Sequence, residues 1–196
     1  MSISSDIEHP KFEQLVSAAK DLFYRFGIKR VTVEEICQTA GVSKMTFYKF
    51  FSNKLDLAKY LVTSIFDAAL QDYVDIIESD KPFPAKLKEL IELKRRGTEQ
   101  MGSEFMAELV QNPEPEIAEI YQQQRERSLS LTMNFLKRAQ KNGDIRADLK
   151  LEFLLYLLNK MVDMSADEAL LKMYPTPQEL ALEMTNFFFY GILNRD

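Results

Sequence analysis

Apolar residues return every three or four positions along nearly the whole chain, a spacing that serves helices and starves strands. Phe12, Leu15, Val16, Ala19, Leu22, Phe23 and Phe26 lie on one face of a first helix, and Gly27 supplies its stop. Thr32, with Glu35 three residues on, makes a capping box that opens a short helix with Val33, Ile36, Cys37 and Ala40 inward. Gly41 offers the left-handed turn that ends it. Ser43 then caps a helix whose Phe47 and Phe51 stand four apart on one face. A longer helix from Lys54 places Ala58, Leu61, Val62, Ile65, Ala69, Tyr73 and Ile76 inward, until SDKPFP breaks it at Ser79–Pro84.

Further helices are expected over about 84–100, 103–111 and 115–141, with Gly102 and the NPEP run at Asn112–Pro115 between them. Asn142-Gly143 closes the last of these. Beyond it the pattern predicts a helix from Leu149 to Val162, a helical turn near 166–173, and a final helix announced by Thr176, Pro177 and Glu179. No alternating pattern, repeat or low-complexity run interrupts this. The expected fold class is all-α.

A chain of 196 residues buries roughly 70% of its unfolded surface, so it needs no staple. Its single cysteine, Cys37, excludes an internal disulfide framework and fits a reducing compartment. Residues 1–10 lack the basic start and apolar run of a leader, and FLLYLL and FFFYGIL fall well short of the 18 or so residues a membrane span needs. The expected location is the cytoplasm. A net charge of −5 argues against a protein that coats nucleic acid. The charge is uneven, however: residues 1–60 hold nine Lys/Arg against seven Asp/Glu, a net +2, and the remainder carries −7.

Three short helices with a glycine turn before the third form a helix-turn-helix, in which two helices brace a third that enters the major groove. On this layout the sequence resembles the TetR family of bacterial regulators. Phe23, Gly27, Thr32-Val33, Ile36, Ala40-Gly41-Val42-Ser43, Thr46, Tyr48, Phe51 and Lys54-Leu55 carry the resemblance, over about residues 11–60. It implies a DNA-binding domain over residues 1–53 and a larger helical effector-binding and dimerisation domain over 54–196. It also implies operator contacts from Thr32, Ser43, Lys44, Met45, Thr46, Tyr48, Lys49 and Lys54. Lysines would neutralise phosphates, Tyr48 would donate to a phosphate oxygen, and Thr46 would touch a base edge or a thymine methyl. Two positions depart from the family pattern: Met45 stands where glycine is frequent, and Phe50 where a polar ring is frequent.

Other features have plainer readings. Cys37 faces inward and reads as a small buried hydrophobe. His9 has no Cys/His companions for a metal site and no nucleophile to serve, so neither an enzyme nor a cofactor is expected. Lys94–Arg96 reads as a solvated helix face. Phe105, Met106, Tyr121, Met133 and Phe135 are candidates for lining an apolar effector pocket, which favours an apolar or aromatic small molecule. The run Asn186–Leu193 is apolar nearly all round and would leave a face bare in a monomer. Phe187, Phe188, Tyr190 and Gly191 of that run, together with Phe153, Leu154, Leu157 and Leu158, fit the homodimer interface that the resemblance implies. The resemblance completes the picture with a ligand-responsive repressor on a palindromic operator. The alternative is a helical protein-interaction module of the same fold that has lost its DNA or effector response.

Overall fold

Capping and periodicity translate into ten helices among the residues that the computed structural model describes: 9–99, 101–110, 113–165 and 167–193. Residues 1–8, the expected break at Asn112 and position 166 lie outside these. The helices are α1 Pro10–Phe26, α2 Val33–Ala40, α3 Lys44–Phe50, α4 Lys54–Glu78, α5 Phe83–Glu99, α6 Ser103–Val110, α7 Pro115–Asn142, α8 Leu151–Met164, α9 Glu168–Leu171 and α10 Pro177–Ile192. The described residues hold no strand, only an isolated bridge between Ile145 and Leu193.

The predicted stops and starts act as their chemistry dictates. Gly27 adopts φ +79 and donates its N–H to Phe23 O at 2.9 Å. Gly41 ends α2 at φ +66, in the left-handed region where a Cβ would be strained. The capping box is complete: Thr32 Oγ1 accepts from Glu35 N at 3.2 Å, and Glu35 Oε2 accepts from Thr32 N at 2.8 Å. The Thr32 N–H, and the Thr32 hydroxyl that donates to the same Glu35 oxygen at 2.9 Å, hold the Glu35 carboxyl below the usual carboxylate range.

The chain divides into two compact units, Met1–Phe66 with Gln100–Tyr121, and Asp67–Glu99 with Gln122–Asp196. These do not coincide with the segments 1–53 and 54–196, because the first half of α4, α6 and the start of α7 pack with α1–α3. The core of the first unit is built from Leu15, Ala19, Phe23, Ile36, Phe47, Leu57, Leu61 and Phe105, all but fully buried. Phe12 binds its aromatic layer together, stacking on Phe51 at 5.3 Å and meeting Phe50 and Tyr60 edge-on. Cys37 is buried here as a free thiol whose pKa burial pushes up.

The second unit closes around Ile77, Leu90, Leu136, Ile145, Leu154, Phe188 and Ile192, with Phe83 stacked on Phe135 at 5.3 Å. One sequence expectation fails along α4. Ala69 is exposed, while Leu57, Leu70 and Ile77 are buried. The helix serves one core with its first turns and another with its last, so no single stripe describes its buried face.

Two glycines test this packing. A Cβ on Gly102 would stand 2.5 Å from Tyr24 O, the carbonyl that the Gly102 N–H reaches at 2.8 Å. Gly97, within α5, has open space around it. Gly102→Ala should therefore cost about 1–3 kcal/mol by forcing α6 off the end of α1. Gly97→Ala should raise stability by about 0.5–1 kcal/mol. Paired urea melts would read both, and equal effects of the two would contradict the packing.

Candidate nucleic-acid interface

The outward face of α3 follows from what its inward face must do. Phe47 is fully buried, and Phe51, just past the helix end, is buried beside it at a ring distance of 5.8 Å. A helix turning 100° per residue must then aim Lys44, Met45, Tyr48 and Lys49 to solvent. Met45 is 73% exposed and Tyr48 57% exposed, unusual values for large apolar side chains. Ser43 sets the start of α3, its Oγ accepting from Thr46 N at 3.1 Å and lying 3.0 Å from Thr46 Oγ1. Thr46 is half-buried, and its hydroxyl is shared with Ser43.

The cations differ in their availability. Lys44 is ion-paired with Glu34 of α2, which lowers the Glu34 pKa and raises that of Lys44. Both side chains are exposed, so an incoming phosphate would compete with Glu34 in water, where such a pair is worth little. Lys49 is exposed and forms no ion pair with a described residue. Thr32 stands at the start of α2, its hydroxyl committed to Glu35.

Lys54 departs from the sequence expectation. Its Nζ donates to Ile28 O at 2.7 Å, Lys29 O at 2.9 Å and Val31 O at 2.6 Å, which uses all three N–H donors of the ammonium. Burial lowers its pKa. The side chain closes the turn between α1 and α2 from the inside. The backbone N–H groups of the same turn are met by Glu108 of α6, which accepts from Ile28 N and, at 3.2 Å, from Lys29 N. No local pattern flags Glu108, because its partners lie about 80 residues away in sequence. Phe50, where the family pattern often has a polar ring, packs at the start of α1 on Phe12 and on His9, whose rings lie 5.6 and 5.3 Å away. His9 itself caps α1, its Nδ1 accepting from Lys11 N at 3.2 Å.

Among the described residues no group of His, Cys, Asp and Glu could hold a metal ion, and no helix is long and apolar enough to cross a membrane. The residues expected to line an effector pocket separate. Phe105, Met106 and Tyr121 belong to the first unit, Met133 and Phe135 to the second. Phe105 fills the first core against Tyr24 and Phe135 the second against Phe83, so both are core residues. Tyr121 meets Phe66 at 5.7 Å, Met106 is half-buried, and Met133 borders a cleft. The expected dimer residues divide as well. Leu154 and Phe188 point into the second core, and Leu157 and Leu158 are half-buried. Phe153, Phe187, Tyr190 and Gly191 are exposed, and Tyr156, unanticipated, is 61% exposed beside them in sequence.

Comparison with known proteins bears on this geometry. Residues 15–61 match the sequence profile of bacterial regulatory proteins of the tetR family. The chain is 25% identical over 134 residues to the HTH-type transcriptional regulator YhgD of Bacillus subtilis, covering 67% of this chain and 70% of that protein. It is 29% identical over 86 residues to the fatty acid metabolism regulator protein of the same organism, covering 44% of this chain and 42% of the relative. The solved structure of the fatty acid degradation regulator FadR from Bacillus halodurans superposes with a TM-score of 0.71 at 18% identity, over 96% of this chain and 99% of that one.

Lys54 yields a sharp test. Lys54→Met orphans three carbonyls and should cost about 2–4 kcal/mol of stability. A Lys54 free to hold phosphate would instead leave stability unchanged and lower the salt dependence of DNA binding by about one unit. Thermal melts alongside a salt titration separate the two.

Proposed function

We infer, from the match of residues 15–61 to the profile of the tetR family of bacterial regulatory proteins, that this chain is a cytoplasmic, DNA-binding transcription regulator of that family acting as a homodimeric repressor. The observation that carries the reading is α3 itself: a short helix anchored by Phe47, with Met45, Tyr48 and Lys49 held out to solvent. Tyr48 and Lys49 supply donors for phosphate oxygens, and Met45 supplies apolar contact to a thymine methyl or a base edge. Ser43, Lys44 and Thr46 flank them, and Thr32 opens α2. One α3 per subunit reads one half-site, so a palindrome calls for two copies with half-sites about 34–36 Å apart.

The second copy is supplied through the bare apolar side chains of α8 and α10. Phe153, Tyr156, Phe187 and Tyr190 are all more than half exposed, a large apolar area to leave in water. The effector is a small molecule with an apolar chain, a reading supported by the names of two similar regulators, both of fatty acid metabolism. Its binding releases the operator, and a coupling of about 1–3 kcal/mol gives a 5- to 150-fold change in affinity.

Selection of bound fragments from sheared genomic DNA at two salt concentrations tests the whole reading. A short palindrome that survives the higher salt is expected. Sequence-blind binding that vanishes there would favour a protein-interaction module of the same fold. With that palindrome in hand, Lys49→Ala should weaken binding to every sequence alike and lower the salt slope by about one unit. An unchanged slope would remove Lys49 from the phosphate contacts.

The dimer has its own test. Phe187→Glu should shift the sedimentation of the purified protein to that of a monomer and abolish binding to the palindrome at nanomolar protein. A stable dimer of this variant would place the interface elsewhere.

A further inference from the structure

Within the second unit, α7 and α8 enclose an open cleft of about 510 Å³, a size typical of small-molecule sites. Leu129, Met133 and Leu155 give it an apolar lining, and Arg125, Lys137 and Glu126 give it charge. Glu126 is engaged by Gln122, whose Nε2 donates to Glu126 Oε1 at 2.9 Å.

Arg125 is the anomaly. The other described arginines of this unit each meet a carboxylate: Arg95 and Arg96 pair with Glu92, Arg127 with Asp67, Arg138 with Glu78, and Arg146 with Asp148. Arg125, though half-buried, pairs with no carboxylate of the described residues, and its Nε is buried without a hydrogen-bond partner. A buried guanidinium N–H that finds no acceptor is costly, and an anion entering the cleft would answer it.

The surroundings position Arg125 without neutralising it. Its Nη2 donates to Asn159 Oδ1 at 2.9 Å, and Asn159 Nδ2 is in turn committed to Leu155 O at 3.0 Å. The amide oxygen of Asn159 is thereby held toward the guanidinium. A neutral acceptor fixes the orientation of the fork and leaves its charge for something else. A second cleft of this unit, of about 390 Å³, shows the contrasting arrangement. There Arg138 is held by Glu78, Lys81 by Glu89, and Lys86 by Ile77 O.

We propose that the α7–α8 cleft binds a small aliphatic acid, its carboxylate held by Arg125 and its chain laid over Leu129, Met133 and Leu155. The charge balance selects a monoanion: two cations and one acid leave a single positive charge in the lining. A carboxylate also fits the planar guanidinium through paired N–H donors, with Lys137 as a second cation at the rim. The proposal rests on the effector-responsive reading and gives that effector a head group: an apolar chain alone would leave Arg125 unsatisfied.

Calorimetric titration of the full-length protein with sodium decanoate and with 1-decanol tests it, since the two differ only in the head. Wild type should bind decanoate at least tenfold more tightly than decanol. Arg125→Gln should reduce decanoate to the affinity of decanol and leave decanol unchanged. Asn159→Asp keeps Arg125 but gives it a carboxylate of its own, and should erase the preference in the same way without loss of folding stability.

Equal affinity for the two ligands in wild type, absence of binding by either, or survival of the acid preference in both variants would overturn the proposal. So would an Arg125→Gln protein that loses its dimer while keeping decanoate, because the anion would then be an acidic side chain of the second copy. Operator binding is measured in parallel. Decanoate bound through Arg125 with no change in operator affinity would uphold the acid site and sink the effector reading.

Discussion

The five residues from Gly27 to Val31 hold the first unit together, because their backbone groups are answered from two directions. Lys54, at the start of α4, takes three of the turn's carbonyls. Glu108, on α6, takes two of its N–H groups. A turn between packed helices cannot leave such groups unpaired without losing the equivalent of a hydrogen bond for each. The opposite charges of the two clamps suit the opposite ends of the peptide dipole. Gly27 permits the arrangement twice over: it takes φ +79, and a Cβ there would stand 2.6 Å from Glu108 Oε1. Through this turn α1 is set against α2, and α2 against α3, so the aim of Tyr48 and Lys49 is inherited from it.

Charge is deployed differently in the two units. In the first, the ammonium of Lys54 is spent on structure, Lys44 rests on Glu34, and Lys49 stands free of described partners. The basic surface is therefore smaller than a count of lysines suggests. In the second, carboxylates answer the arginines one by one until Arg125, where an amide answers instead. A positive charge steadied by a neutral oxygen is prepared for an anion in a way that an ion pair is not.

Much of the architecture was legible from local chemistry. The capping box at Thr32 and Glu35, the left-handed Gly41, the Ser43 cap and the inward Phe47 and Phe51 all depend on residues within four positions of one another, and all are present. The same holds for the Thr176 cap that opens α10. Where the reading failed, a residue answered to something distant. Ala69 fits the periodicity of α4, yet it is exposed, because that helix leaves one core for another. Phe105 and Phe135 have the chemistry of a ligand pocket and the surroundings of a core.

The sequence by itself determined the helices, their ends and the outward face of α3, since a 3.6-residue period and a cap are properties of short segments. Only the tertiary structure decided which polar groups remain available. It spent Lys54 on a turn some 25 residues away, brought Glu108 to the same turn from some 80 residues away, and set Arg125 beside Asn159 without an ion pair to a described acid. Whether a charge is free depends on what the fold carries to within about 3 Å of it, and no local pattern encodes that distance.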